Sequence, residues 1–208
     1  MSVLPKPFKK LPINLKEKLA EFEITTPTLF QEKSIPLIKS GANSYCIAPV
    51  NSGKTTTLIL TTLNKLQCKE VGTVPRAIVL VENNEKALAL YDAFLKYTKS
   101  TSLRVYFGNE KEHIDLLKSE IFEGIDILVT TPQILHKLLL LEGVNTTQVK
   151  LFSIDDADFL TDKKSAAAVI SVTQSIHKCQ FVMYLEKMHP SLKRFEDYFM
   201  QYAKTVAL

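Results

Sequence analysis

Residues 48–55 read APVNSGKT and follow a short apolar run typical of a strand. A strand, a tight loop ending in Gly-Lys-Thr and a helix bind phosphate, because backbone N–H groups at the helix start point at the anion. In this arrangement Lys54 would reach the terminal phosphates and the Thr55 hydroxyl would bind Mg²⁺. Ala48 stands at the first glycine of the usual pattern. A chance sequence at a helix start, with Ser52 as the helix cap, is therefore the alternative.

Strand-like and helical patterns alternate along the rest of the chain. The predicted strands are residues 44–47, 77–81, 103–107, 126–130, 151–154, 180–185 and 205–208. The predicted helices are residues 55–66, 85–97, 111–121, 132–141, 165–176 and 191–202. Continuous apolar strands between helices are typical of a parallel sheet that is covered on both faces. The sequence predicts an extended arm over 1–13 and, over 14–208, one three-layer α/β/α domain with a mainly parallel sheet.

An acidic cluster follows the apolar run at residues 151–154. Residues 155–158 read DDAD, at the carboxyl end of a predicted strand, where ligands bind in parallel sheets. Asp155 is the predicted Mg²⁺ ligand, through water, and Asp156 would orient an attacking water. Helix capping is the alternative for these acids, and for Asp158 it stays as open as a functional role.

Composition excludes several classes of protein and leaves others open. The chain has 208 residues, 46% of them hydrophobic and 23% charged, as in ordinary globular proteins. No apolar run reaches the length of a membrane span, and residues 1–10 lack the apolar core of a signal peptide. We therefore expect a cytoplasmic protein without a membrane partner. The three cysteines and four histidines have no metal-ligand spacing. A net charge of +4 with only three arginines permits nucleic-acid binding without indicating it.

Read in order, these segments resemble the first RecA-like domain of the DEAD-box RNA helicases. The Q motif is matched by EITTPTLFQ (23–31), motif I by APVNSGKT (48–55) and the TPxR segment by TTPQI (130–134). The DEAD box is matched by DDAD (155–158), and the helix after the SAT motif by MHPSLKRFEDYFM (188–200). Alanine is normal at the first position of that family's motif I. The resemblance covers nearly the whole chain and implies a RecA-like P-loop domain.

The resemblance also implies the ligands and their contacts. ATP and Mg²⁺ are the expected cofactors, with Phe8 stacking on adenine and Gln31 reading it. The expected phosphate-binding residues are Asn51, Ser52, Gly53, Lys54 and Thr55. Thr55 and Asp155 would hold Mg²⁺. RNA and a second RecA-like domain are the expected partners in such a family.

Departures from the family pattern fall mainly on the RNA-contacting and coupling segments. Asp156 replaces the catalytic glutamate, and Val50-Asn51 replaces the Thr-Gly of motif I. Glu82–Lys86 replaces the PTREL motif, with Asn84 in place of its arginine, and Asn109 replaces the second of the paired glycines. Ile134 replaces the arginine of TPxR, and Leu185–Lys187 replaces the SAT motif. The chain stops where the linker to a second RecA-like domain would begin. We therefore expect binding of adenine nucleotide with Mg²⁺, hardly any hydrolysis by the chain alone, and little RNA binding.

Two functions remain open at this point. In the first, the chain is an ATP-binding module of helicase type that acts with a second RecA-like domain on another chain. In the second, it is a catalytically inactive relative that serves as a protein-interaction module. A small-molecule kinase fits poorly, since such enzymes need an arginine-rich lid.

Overall fold

The computed structural model of the protein describes residues 5–208. Its strands are β1 (Ser44–Ile47), β2 (Ala77–Leu80), β3 (Val105–Phe107), β4 (Ile127–Thr130), β5 (Leu151–Ile154), β6 (Gln180–Leu185) and β7 (Lys204–Ala207). Its α-helices are α1 (Ile13–Glu21), α2 (Leu29–Lys39), α3 (Lys54–Lys65), α4 (Asn84–Thr98), α5 (Ile114–Glu123), α6 (Pro132–Leu140) and α7 (Lys163–Gln174). Three 3-10 helices cover Phe8–Lys10, Ala157–Thr161 and Pro190–Asp197.

The strands form one sheet in the order β3-β4-β2-β5-β6-β1-β7, and every pairing is parallel. Alternate side chains of β2 show why both faces are covered: Val79 joins one apolar core, and Ile78 joins the other. Helices α1 to α4 cover the first face, and α5 to α7 cover the second. The predicted three-layer α/β/α class is therefore confirmed.

A buried ion-pair network holds the amino ends of the strands, opposite the predicted site. Asp126 precedes β4, and its side chain is 0% exposed. Its Oδ1 accepts a hydrogen bond from Arg76 Nη2 at 2.7 Å, and its Oδ2 accepts one from Arg104 Nε at 3.0 Å. Burial alone would raise the pKa of Asp126, but hydrogen bonds from Arg104, Arg76 and Val71 lower it overall. The network ties together the chain segments that enter β2, β3 and β4.

Two predictions at the ends of the chain are wrong. The predicted extended arm packs on the domain, because Phe8 and Leu11 are buried in its core and residues 8–10 form a 3-10 helix. Residues 1–4 of that predicted arm lie outside the described part. The predicted helix over 191–202 is a 3-10 helix that ends at Asp197. The sequence analysis also proposed no element between residues 14 and 43, where α1 and α2 are found.

Candidate nucleotide-binding site

The phosphate loop joins β1 to α3 and needs two residues with left-handed backbone conformation. Asn51 has φ 62° and Gly53 has φ 92°. Asparagine adopts positive φ more readily than most residues, so it can replace glycine at the first of these positions. Gly53 is the N-cap of α3, and no side chain caps this helix. Ser52 is therefore not a helix cap, and its Oγ is buried without a hydrogen-bond partner among the described residues.

Residues at the start of α2 contact the phosphate loop and hold it in place. Thr28 caps α2, and its hydroxyl also donates a hydrogen bond to the Ser52 carbonyl at 2.7 Å. The Oε1 atom of Gln31 accepts a hydrogen bond from the Thr28 backbone N–H at 3.0 Å, so its amide is held in place. A Cβ added to Gly53 would lie 2.7 Å from Gln31 Nε2. Gly53 is thus required both by its positive φ and by the buried Gln31 amide.

Lys54 lies at the start of α3 and folds into its own loop. The side chain is buried, and Nζ donates hydrogen bonds to the carbonyls of Ala48 at 2.6 Å and Pro49 at 3.2 Å. The ammonium group must exchange these carbonyls for phosphate oxygens if it binds a nucleotide. A cavity of about 380 Å³ remains beside the loop, lined among others by Val50, Asn51, Lys54 and Thr55. Four of the five predicted phosphate-binding residues therefore line this cavity: Asn51, Gly53, Lys54 and Thr55.

Asp155 follows β5 and carries an unsatisfied buried oxygen. Its Oδ1 has no hydrogen-bond partner among the described residues. Burial, with repulsion from Asp156 as the second cause, raises the pKa of Asp155 to about 6. Asp155 and the exposed Thr55 both line a second cavity, of about 200 Å³. A carboxylate with an orphaned oxygen and a hydroxyl that line one cavity fit an oxygen-binding cation such as Mg²⁺.

Asp156, the predicted water-orienting residue, has an unexpected partner. Its φ of 45° is left-handed, and its side chain is 46% exposed. Asp156 Oδ2 lies 3.5 Å from Lys86 Nζ, which in turn lies 2.9 Å from Glu82 Oε2. Burial alone would lower the pKa of Lys86, but these two carboxylates raise it overall, so the ammonium is charged at neutral pH.

Helix capping does not explain the acidic cluster. Asp156 occupies the N-cap position of the 3-10 helix Ala157–Thr161, but its side chain makes no capping hydrogen bond. Asp158 Oδ2 accepts a hydrogen bond from the Glu186 backbone N–H at 3.2 Å, which connects the cluster to the segment after β6. Asp162, which the sequence analysis did not single out, is the residue that caps α7.

Phe8 does not lie where the sequence analysis expects it. The ring is 0% exposed and packs in the core with Leu11, Leu15 and Phe30. A ring that has no exposed face cannot stack on a base without a rearrangement of the core. We therefore remove Phe8 from the proposed nucleotide contacts.

The segments that resemble RNA-contacting motifs follow the carboxyl ends of β2, β3 and β4, which form one edge of the domain. Glu110 links two of them: its backbone N–H donates to Asn84 Oδ1 at 2.9 Å, and its Oε1 accepts from the Thr131 hydroxyl at 2.6 Å. An exposed carboxylate in this position repels phosphate groups. Asn84 and Thr131 are thus engaged within the chain.

The arginines are also used within the fold. Arg76 and Arg104 bind Asp126 at the opposite end of the sheet. Arg194 donates a hydrogen bond from Nη2 to the Leu160 carbonyl at 2.9 Å and lies over the Phe195 ring. All three arginines of the chain therefore have structural partners.

The fold and this site define a class of protein. A fully parallel sheet with a phosphate loop after β1 and an orphaned carboxylate after β5 is a RecA-like nucleotide-binding domain. The family model for the DEAD/DEAH box helicases matches residues 28–185, and the chain belongs to this family. The family binds ATP and RNA and implies Mg²⁺ as the accompanying ion.

Individual proteins and structures agree with this assignment. The chain is 29% identical over 216 aligned residues to ATP-dependent RNA helicase dbp3 of Neosartorya fischeri, covering 100% of this chain and 41% of that protein. A DEAD box protein from Methanococcus jannaschii matches the fold with a TM-score of 0.87 and 19% identity, covering 95% of this chain and 54% of that one. The yeast DEAD-box splicing factor Prp28 has a TM-score of 0.87 and 20% identity, covering 99% and 51%. The chain thus spans between 41% and 54% of the length of these three proteins.

Residues 5–208 contain neither a side-chain cluster that could hold a metal ion by itself nor a membrane-spanning helix. Among the described residues, no group of three or more His, Cys, Asp or Glu side chains could hold a metal ion. Besides Asp155 and Thr55, a Mg²⁺ ion at this site would therefore depend on phosphate and water oxygens, as Mg²⁺ sites usually do. No helix in the described part of the chain is long and apolar enough to cross a membrane.

The substitution Asp155→Asn is expected to stabilise the ligand-free protein at neutral pH. The pKa of Asp155 rises from the ordinary 3.8 to about 6 on folding, so the charged carboxylate opposes folding above pH 6. Allowing for its partial exposure, the gain in free energy of unfolding should be about 1 to 3 kcal/mol. The gain should shrink as the pH falls from 6 towards 4, because the wild-type carboxyl then takes up a proton.

Urea denaturation without Mg²⁺, at several pH values, measures this effect. Asp115→Asn is the matched control, since the Asp115 side chain is 75% exposed. A loss of stability in Asp155→Asn, or the same gain at every pH, would contradict the inference that the buried, charged Asp155 carboxylate opposes folding.

Several residues of the site were not singled out from the sequence. In the sequence Lys86 and Glu82 stand out only as departures from a motif, and nothing local marks Glu110. Glu82 and Lys86 are four residues apart, but Glu82 precedes both the predicted helix and α4, so the rule for helical pairs does not predict their ion pair. Their proximity to Asp156 depends on β2 and β5 being neighbours, which no local pattern shows.

Proposed function

We propose that this chain is the ATP-binding domain of a DEAD-box type assembly, which binds adenine nucleotide with Mg²⁺ and does not unwind RNA by itself. The observation that carries the proposal is that Asp155, which has an orphaned buried oxygen, lines one cavity with Thr55 of the phosphate loop. Residues 51–55 would surround the phosphates, and the buried Gln31, which the sequence predicts to read adenine, would instead support the loop at Gly53 unless its amide turns outward. A second RecA-like domain on another chain would complete the assembly.

Hydrolysis by the chain alone should be close to zero for two reasons. Replacement of the catalytic glutamate by Asp156 shortens the carboxylate's reach by about 1.5 Å, one C–C bond. A misplacement of about 1 Å can cost roughly a hundredfold in rate. An arginine from a second domain contributes roughly 10³ to 10⁵ in NTPases that use one. The ion pair of Asp156 with Lys86 further occupies the carboxylate that should orient water.

RNA should bind weakly to this chain. Phosphate contacts dominate nucleic-acid affinity, and arginine is the side chain best suited to make them. The three arginines are engaged elsewhere, and Glu110 places a negative charge on the edge that would face RNA. We therefore propose that any RNA bound by the assembly is held mainly by its other components.

The alternative function is that of an inactive relative that serves as a protein-interaction module. Two large apolar side chains are available for contacts with another protein, since Phe122 is 89% exposed and Leu140 is 70% exposed. Contiguous patches of such side chains are typical of binding surfaces. This alternative requires no nucleotide, so the binding experiment described next distinguishes the two.

Calorimetric titration with ATP and Mg²⁺ tests the proposed function. We expect saturable binding of one nucleotide, turnover at the buffer background in a phosphate-release assay, and no change in either on addition of single-stranded RNA. Negligible binding would refute the nucleotide-binding proposal and leave the interaction module. Robust hydrolysis by highly purified protein, or strong stimulation by RNA, would refute the proposed lack of turnover.

A further inference from the structure

The order of the strands places Lys86 at the acidic strand end, the carboxyl end of β5 where the acidic cluster of residues 155–158 begins. Lys86 lies in the first turn of α4, directly after β2, and β2 pairs with β5. The start of α4 therefore stands over the carboxyl end of β5, where the acidic cluster begins. The resulting ion pairs join Lys86 Nζ to Glu82 Oε2 at 2.9 Å and to Asp156 Oδ2 at 3.5 Å.

The same ammonium group lines the proposed metal cavity. Thr55, Lys86, Asp155 and Asp156 all line the space of about 200 Å³ beside β5. Thr55 and Asp155 are the two side chains proposed to hold Mg²⁺. A fixed monovalent cation and the proposed site of a divalent cation therefore share one small cavity.

The charges around this cavity explain why a fixed cation matters. Besides Asp155, the acids lining this cavity and the one next to it are Glu82, Asp156, Asp158 and Glu186. A nucleotide triphosphate is itself an anion, so these carboxylates repel it. The charge of Lys54 also acts on Asp155 and lowers its pKa against the larger effect of burial, but Lys54 Nζ is bonded to two backbone carbonyls and lines neither of these two cavities. Among the described residues that line these two cavities, Lys86 alone carries a positive charge.

We propose that Lys86 acts as a built-in cation at the acidic strand end, which reduces the dependence of nucleotide binding on Mg²⁺. This inference rests on the proposed function, because it concerns the regulation of the same site. Lys86 offsets part of the repulsion between the carboxylates and the phosphates when no metal is bound. Lys86 also neutralises part of the carboxylate charge that would attract Mg²⁺. A bound metal ion therefore adds less to the affinity for ATP than it would without Lys86.

The ratio of the ATP dissociation constant in EDTA to that in saturating Mg²⁺ measures this dependence. In Lys86→Met, binding in EDTA should weaken because the cation is lost, and Mg²⁺ should add more affinity because its competitor is gone. We expect the ratio to rise roughly three- to tenfold, as for a partly exposed charge a few ångströms from its partners. Lys86→Arg keeps the charge and should retain the wild-type ratio.

Calorimetry on the purified 208-residue chain supplies these constants, and thermal denaturation shows that each variant is folded. Lys96→Met is the matched control, because Lys96 is exposed on the same helix two to three turns away. A ratio in Lys86→Met equal to that of wild type and Lys96→Met would overturn the inference while leaving the proposed function standing. Absence of nucleotide binding in every protein would overturn both.

Discussion

Replacing Lys54 with alanine is expected to weaken ATP–Mg²⁺ binding by at least roughly tenfold and up to about 150-fold. The estimate follows from the loss of charge-assisted hydrogen bonds, each worth about 1.5 to 3 kcal/mol. Lys54 stands at the start of α3 with its ammonium beside the loop cavity, where phosphate oxygens can replace the carbonyls of Ala48 and Pro49. Loss of the positive charge also removes the attraction that draws the triphosphate into the loop.

The Lys54→Ala variant needs a control for folding as well as for charge. In wild type the side chain is buried and binds two loop carbonyls, so its removal could also loosen the loop. Lys65→Ala removes an exposed lysine from the other end of α3 and should bind ATP like wild type. Thermal denaturation reports stability separately. Equal affinity in wild type and Lys54→Ala, with both proteins folded, would show that the loop does not hold phosphate.

Replacing Asp126 with alanine is expected to lower the free energy of unfolding by about 3 to 5 kcal/mol, the usual effect of removing one partner from a buried ion pair. Two guanidinium groups would lose their carboxylate, and the Arg104 and Val71 backbone N–H groups would lose their acceptor. For a chain of this size the melting temperature should fall by roughly 6 to 20 °C. The network lies at the amino ends of the strands, so nucleotide affinity should change little in the folded variant.

Urea denaturation of Asp126→Ala, beside Asp115→Ala as an exposed control, measures this loss. The pKa of Asp126 is lowered on folding, so its stabilising contribution is fully present above its ordinary value of 3.8 and is lost as the pH falls further. The difference between wild type and Asp126→Ala should therefore shrink in strong acid. A change in unfolding free energy as small as that of Asp115→Ala would show that the buried network contributes nothing.

The phosphate loop shows how much local sequence reveals. Asn51 stands where the family's motif I has glycine, and the structure has it at φ 62°. β1, β5 and β6 have the predicted bounds, because short apolar runs between turn residues leave little freedom. In contrast, proline-rich residues 5–12 suggest an arm, yet Phe8 and Leu11 are drawn into the core by burial of their apolar area.

Side-chain partners of the site were harder to predict. Asp156 is identified from its position after β5, but its pairing with Lys86 requires that β2 lie beside β5. Glu110 likewise meets Thr131 only because β3 and β4 are neighbours. Neither contact has a signature in the residues next to it in the chain.

By itself the sequence determines the alternation of strands and helices, the parallel sheet, the phosphate loop and the acid that follows β5, because periodicity and turn chemistry act between neighbouring residues. The tertiary structure alone decided that Phe8 is a core residue, that the three arginines serve the fold, and that an ammonium group stands at the acidic strand end. These features depend on the order of strands and on long-range packing. Charges and apolar groups far apart in the chain come within a few ångströms of each other only when the sheet has formed.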